Sequence, residues 1–308
     1  MKKNIKKQIG LIAIMFVFGL AALGSGGSTE SGTKDIATSD STEDTPDDNG
    51  SETDNVEKSE ISIEEQVLLE QDGIKITATG MEEDAIWGTG IKLEIENNTE
   101  QNVTVGCNAL IVNDYMITDL FASDIAAGKK ANETMYMMSS ELEAAGISNI
   151  GQVEVYFHVY DSDSYTTLFD ADVVTIQTSE YAEMDTDIET GNDGVELYNQ
   201  DGVKIVGKYV DENSFWGTAV LLYIENTSGR KIGITCDDMS VNGYMVSPLF
   251  SSTVYDGKKA LDDITILSTD LEDNGIETVE DIELNFHIYD VDSYETICDT
   301  GSITFSVE

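Results

Sequence analysis

An all-β fold, laid out as two tandem β-sandwiches behind a signal peptide and a disordered acidic stalk, is what three features of this 308-residue sequence predict. Residues 67–179 align with 196–308 without a gap at a constant offset of 129, and 42 of 113 positions are identical. Within each copy the apolar residues alternate with period two, the mark of strands buried on one face. Seven or so short runs of this kind, punctuated by turn residues, fill each copy and suit a sandwich. A period this long lies outside the range of about 20–50 residues typical of solenoids, so separate beads on a string are expected.

Taken in order, the chain opens on an address. Lys2, Lys3, Lys6 and Lys7 precede an uncharged run from Ile9 to Leu23. That run is shorter than the roughly 20 residues a spanning helix needs, and Ala22 and Gly24 suit cleavage before Ser25, so residues 1–24 read as a secretory signal peptide. The flanking Gly24 to Ser28 resembles a lipoprotein signal in which an acylated cysteine would stand at Ser25. Serine has no thiol from which to form the thioether, so secretion, lipid anchoring in relatives and an uncleaved signal anchor all stay open. Residues 25–62 are mostly Ser, Thr, Gly, Asp and Glu. Such a composition cannot bury enough surface to offset ordering entropy, and it predicts a disordered stalk spanning about 30 Å. Lys+Arg 16 against Asp+Glu 60 gives a net charge of -44, which excludes nucleic acid as a partner and leaves a membrane reachable only through an anchor.

The two repeats occupy 63–179 and 195–308, joined by an acidic linker at 180–194. In the first, Ile91, Leu93 and Ile95 face inward, with Lys92, Glu94 and Glu96 outward. A later strand points Val153, Val155, Phe157 and Val159 inward, and its copy keeps Ile282, Leu284, Phe286 and Ile288. Further strands are expected at 73–80, 102–113, 131–138 and 173–178, with turns at Asn97-Asn98, Asn113-Asp114 and Gly128-Lys129. One helical turn interrupts them. Ser140 and Glu143 form a capping box, Gly146 and Ile147 suit a left-handed stop, and Thr269, Glu272, Gly275 and Ile276 repeat the pattern.

Three motifs carry a resemblance: a strand ending Ile-Glu-Asn-Asn (Ile95 to Asn98), of which Ile-Glu-Asn recurs in the second copy, and, in both copies, a Gly-Lys-Lys turn (Gly128 to Lys130) and a strand entering Tyr-Asp-x-Asp-Ser-Tyr (Tyr160 to Tyr165). Together they resemble the tandem immunoglobulin-like domains of uncharacterised exported proteins, often lipoproteins, of low-GC Gram-positive bacteria. The resemblance implies an immunoglobulin-like sandwich, a fold shared with secreted mycobacterial antigens, and brings no catalytic residues. It also implies that the Ile91–Ile95 and Val153–Tyr160 strands are neighbours C and F of one sheet. Their outward residues would then form one surface, Lys92, Glu94, Tyr156, His158 and Tyr160 in repeat 1 and Leu221, Tyr223, Asn285, His287 and Tyr289 in repeat 2. An apolar, aromatic face on so acidic a chain reads as a contact site for repeat 1, a second copy or an external ligand, with coverage by a local loop as the alternative.

The remaining candidates each carry two readings. Trp87 and Trp216 stand at equivalent places beside glycine, as an exposed platform for sugar or protein or as a plug closing the sandwich with Ile86 or Phe215. Asp161 with Asp163, and Asp290 with Asp292, place two carboxylates at alternate positions of a strand end, with Asp170 and Asp299 returning nearby. Calcium needs six to eight oxygens, which such a cluster could supply weakly, and Asp and Ser are equally what turns prefer. No other cofactor is expected. Cys107 shares the inward parity of Val103 and Val105, and Cys236 with Cys298 could form a disulfide or stay reduced. His158 and His287 are the only histidines and have no His or Cys near them in sequence, and no nucleophile elbow, HExxH, CxxC or phosphate loop occurs. The sequence therefore reads as a non-enzymatic, secreted binding or adhesion module of the bacterial cell envelope, whose partner is a protein or glycan of the envelope or host. A polyanionic structural spacer and a carbohydrate-binding module using Trp87 and Trp216 are the alternatives.

Overall fold

The inward set of every alternating run is buried in the computed structural model, which describes residues 61–118, 120–184, 193–214 and 216–307. The signal peptide, Ser25, nearly all of the stalk, the middle of the linker and Phe215 lie outside the described residues. Repeat 1 contains β1 (Gln66–Gln71), β2 (Ile74–Asp84), β3 (Gly88–Asn97), β4 (Val103–Val112), β5 (Tyr115–Ile117), β6 (Ala122–Ile125), β7 (Lys130–Met137), α1 (Ser139–Ala144), β8 (Gln152–Asp161), β9 (Thr167–Asp170) and β10 (Val174–Gln177). Repeat 2 contains the same series: β11 (Val195–Gln200), β12 (Val203–Ser214), β13 (Gly217–Asn226), β14 (Ile232–Val241), β15 (Tyr244–Met245), β16 (Ser251–Val254), β17 (Lys258–Leu267), α2 (Ser268–Asp273), β18 (Asp281–Asp290), β19 (Thr296–Asp299) and β20 (Ile303–Ser306).

In repeat 1 one sheet has the order β1-β2-β3-β7, and the facing one centres on β4 and β8, with β5 and β6 beyond β4, and β9 and β10 beyond β8. After the β1-β2-β3 meander the chain crosses to β4, returns to β7 beside β3, and crosses again to β8 beside β4. That is the Greek key of an immunoglobulin-like sandwich, with β3, β4, β7 and β8 in the places of strands B, C, E and F. Repeat 2 follows the same path. The core between the sheets is made by the alternating sets, including Ile91, Leu93, Ile95, Val153, Val155, Phe157 and Val159 in the first copy.

Two asparagines explain motifs that the repeats share. Asn97, fully buried, donates from Nδ2 to the carbonyls of Gln101 and Ile125, both at 2.9 Å, and its Oδ1 accepts from the Thr99 backbone N–H and hydroxyl. Asn226 repeats this with Arg230, Val254 and Ser228. Asn113 and Asn242 sit at left-handed φ of 47° and 49° in the hairpin, where Asn is tolerated, and clamp the entry to β8 and β18.

Several expectations need correction. The Ile91–Ile95 strand is in the place of B rather than C, because a meander strand precedes it, so β3 and β8 lie in opposite sheets, as do β13 and β18. Leu221 and Tyr223 therefore do not share a surface with His287 and Tyr289. The capping boxes do not form: α1 starts at Ser139 and α2 at Ser268, with Met138 and Leu267 at the caps and no side-chain cap bond. The C-terminal stops do form, with Gly146 and Gly275 at φ 67–72° and the Ile147 and Ile276 N–H groups bonded to Leu142 and Leu271. No disulfide joins Cys236 and Cys298. They flank β18 from opposite sides, Cys236 opposite Phe286 on β14 and Cys298 opposite Ile288 on β19, so two strand spacings, more than about 9 Å, separate them, beyond the roughly 7 Å a disulfide tolerates.

The repeats also touch directly, so they are not separate beads, and contact with repeat 1 was one of the readings for the face that carries Tyr223. β5 pairs in parallel with β17, Tyr115 against Lys259 and Met116 against Ala260, which fuses sheets of both repeats into one ten-stranded sheet. Lys258 Nζ reaches Asp114 Oδ1 at 2.7 Å and Glu154 at 2.8 Å, and the Lys259 N–H donates to the Asp114 carbonyl. Val206 and Tyr223 are buried against the core of repeat 1, joined by the partly buried Leu261.

Candidate functional site

The outward face of β8 carries an aromatic ladder, and β18 carries its copy. It begins in the turn after the strand. Asp161 Oδ1 accepts the backbone N–H groups of Asp163 and Ser164 at 3.1 and 2.7 Å, and Asp290 does the same for Asp292 and Ser293. These bonds, those of Ser164 and Ser293 foremost, hold both carboxyls below the usual carboxylate range. The turn leaves Tyr165 and Tyr294 at φ 56° and 58°, a left-handed conformation that is uncommon for a bulky side chain. Both tyrosines are 79% exposed.

From there the rings follow the strand. Tyr165 stacks on Tyr160 at 6.2 Å between centroids, and Tyr160 meets His158 at 5.4 Å. In repeat 2 Tyr294, Tyr289 and His287 repeat this at 6.4 and 5.5 Å. Gly233 opposite Tyr289 makes room for the ring, since a Cβ there would stand 2.3 Å from Tyr289 Cζ. Each histidine is anchored by the strand that returns beside it: His158 Nδ1 lies 2.6 Å from Asp170 Oδ1, and His287 Nδ1 lies 2.5 Å from Asp299 Oδ1. The His158 contact, with a further bond from Asn108, outweighs partial burial and keeps the Asp170 carboxyl below its ordinary range.

The ladder of repeat 1 continues to the junction. Tyr156, two residues before His158, packs on Tyr255 of repeat 2 at 4.4 Å, and the Lys231 ammonium sits 5.4 Å from the Tyr255 ring. Burial pushes the Tyr255 hydroxyl up to about 12. Lys231 also pairs with Asp292 at 2.9 Å.

The other sequence candidates fall elsewhere. Asp170 and Asp299 return to the histidines rather than to Asp161 and Asp290, and among the described residues no three His, Cys, Asp or Glu side chains gather as a metal site would require. Trp87 and Trp216 enter β3 and β13 with 39% and 46% of their surface open, and Ile86 is 80% exposed rather than packed as a plug. The Asp84 carboxylate fixes the Trp87 turn by accepting the N–H groups of Ile86 and Trp87 at 2.8 and 2.9 Å. Tyr223 is 3% exposed in the junction and Leu221 is half-buried on the same face. Cys107 is half-buried with its Sγ 3.7 Å from Met135 Sδ, and burial raises the Cys236 thiol to about 12, which leaves it inert. Sequence reasoning missed the His–Asp pairs and the left-handed tyrosines. Asp170, Asp299, Tyr165 and Tyr294 are all among the identical positions of the two copies, and that was the available signal.

No protein-family model matches this chain, and no curated protein does. Among solved structures it is similar to the SafA pilin–SafB chaperone complex of Salmonella enterica, with a TM-score of 0.21 and 10% identity over 71% of this chain and 89% of that one. The YadV chaperone gives a TM-score of 0.22 and 10% identity over 71% and 92%. The exo-chitosanase CsxA of Amycolatopsis orientalis gives 0.23 and 13% over 74% and 26%. Likenesses this slight add nothing to the strand order, on which the fold stands.

Proposed function

We propose that the chain is a non-enzymatic binding or adhesion module of the outer face of a bacterial cell envelope, contacting a protein or glycan there through its two ladders. One observation carries this reading: a fully presented tyrosine held at left-handed φ in both copies. That conformation costs about 1–2 kcal/mol, and a ring so exposed returns little of it to folding. A ligand that stacks on the ring does return it. Flat aromatic rows backed by carboxylate and imidazole groups suit sugar rings and protein side chains alike. The envelope location rests on the basic, then uncharged start of the sequence. The glycan form is favoured by the half-open Trp87 and Trp216.

The test compares the full chain with a variant carrying Tyr160→Ser, Tyr165→Ser, Tyr289→Ser and Tyr294→Ser. Both are immobilised and offered envelope extract and purified envelope polysaccharide. The expected result is capture weakened about tenfold or more at an unchanged fold. Capture that survives the four substitutions overturns the ladder as the contact surface, and no capture by either chain favours a spacer.

A further inference from the structure

The junction between the repeats joins two different surfaces. Repeat 1 contributes the edge of β5 with Asp114 and Glu154, and repeat 2 contributes the start of β17 with Lys258 and Lys259. Duplication means that each repeat owns both surfaces, and one of each is left uncovered. In repeat 2, β15 is the last strand of its sheet, with Tyr244 and Met245 at the places of Tyr115 and Met116. They are 52% and 63% exposed, Leu249 nearby is 56%, and Glu283 stands where Glu154 does. In repeat 1, β7 is the last strand of its sheet, and exposed Lys129 just before it, exposed Lys130 and Ala131 are the counterparts of Lys258, Lys259 and Ala260.

A contact between unlike surfaces propagates head to tail. We infer that a second copy of this chain docks end to end, the β15 edge of one receiving the start of β7 of the next as an added parallel strand. Lys129 then meets Glu283, and Lys130 lies over Tyr244 as Lys259 lies over Tyr115 at 5.3 Å. Lys130 now pairs with Glu94 and Glu96 at the surface, bonds weak enough to exchange. The contact is weaker than the internal one. Gly243 replaces Asp114, Glu94 and Thr77 replace the buried Tyr223 and Val206, and the chains repel at a net charge of -44. Association is therefore reversible and belongs to high local concentration.

Sedimentation velocity of the full chain from micromolar to millimolar concentration tests this. The weight-average mass should rise with concentration. Glu283→Lys and Lys129→Glu should each weaken association about tenfold, and the two together should restore it. Glu283→Lys also reduces the net charge, so generic self-repulsion predicts the opposite sign for that variant. Met245→Pro, which removes an edge N–H, should give a monomer with unaltered circular dichroism. A single mass at every concentration overturns the inference, and so does association indifferent to all four variants.

Discussion

Tyr115 and Tyr244 are one residue of one unit written twice, yet the first is 1% exposed and the second 52%. The local sequence and the hairpin around them are nearly the same, so burial here is decided by what lies opposite. The faces that meet across the junction have diverged accordingly. Repeat 2 carries Val206, Tyr223 and Leu261 toward repeat 1, and repeat 1 carries Thr77, Glu94 and Asn132 at the same places. Divergence at these three places marks the apolar part of the covered face, whereas the edge strand and the lysines that meet it, Tyr115, Met116, Lys258 and Lys259, are the same in both copies.

The sharpest way to break this comparison is Tyr223→Glu, which installs the residue of repeat 1 in repeat 2. A carboxylate buried against the partner core without a counter-charge should cost about 3 kcal/mol and split one calorimetric transition into two. Glu94→Tyr at the equivalent surface position should cost under about 0.5 kcal/mol. A single, barely shifted transition for Tyr223→Glu would show that the repeats are coupled by other means. Where the copies agree in surroundings as well as in sequence, their variants should agree too. Asn97→Ala and Asn226→Ala should each lose about 2 kcal/mol in urea unfolding, because buried carbonyls and N–H groups lose their partners. Unequal losses would mean that the clamps are not equivalent.

Smaller effects should follow at the charges. Lys258→Met leaves Asp114 and Glu154 facing each other and should cost about 1–2 kcal/mol, whereas Lys129→Met should leave the melting temperature unmoved. The last concerns pH. Desolvation, with Glu141 of repeat 1 adding repulsion and a Ser252 hydrogen bond opposing, pushes the partly exposed Asp262 up to about 6. That lies above the unfolded value of about 3.9, so its contribution to stability is fully present below the unfolded value and lost as pH rises through 6. The melting temperature should therefore climb as pH falls from 7 toward 5. Asp262→Asn should flatten that rise and add about 1 kcal/mol at pH 7. Below the usual carboxylate range stability falls again, as Asp161, Asp170 and Asp290, whose values are lowered, take up protons.

Much of the fold was legible because alternation fixes which face of a strand is buried: Ile91, Leu93, Ile95 and the Val153–Val159 set lie inward as read. Short strands such as β5, β6 and β9 were not legible, since three or four residues carry no period. Sheet membership was misjudged for Ile91–Ile95, because periodicity reports a face and says nothing of neighbours. At the candidate site His158 was seen beside its tyrosines, while Asp170 was not, for a hairpin register had to bring together residues twelve apart. The junction was least legible. Parallel pairing of two residues leaves no composition signal, and only the changed pair Leu221 and Tyr223 hinted at it.

That junction has a kinetic consequence. Asp114 and Lys258 are 144 residues apart, whereas most strand pairs of each sandwich close much shorter loops. Contacts of high sequence separation meet their entropy cost late, so docking should follow the folding of both sandwiches as a separate, slower step. During that interval the covered faces of repeats 1 and 2 are both open. At high protein concentration repeat 1 of one molecule can then close on repeat 2 of another, giving exchanged dimers held by native contacts in the wrong chain. Rapid refolding from concentrated denaturant should yield them, and dilute refolding should not.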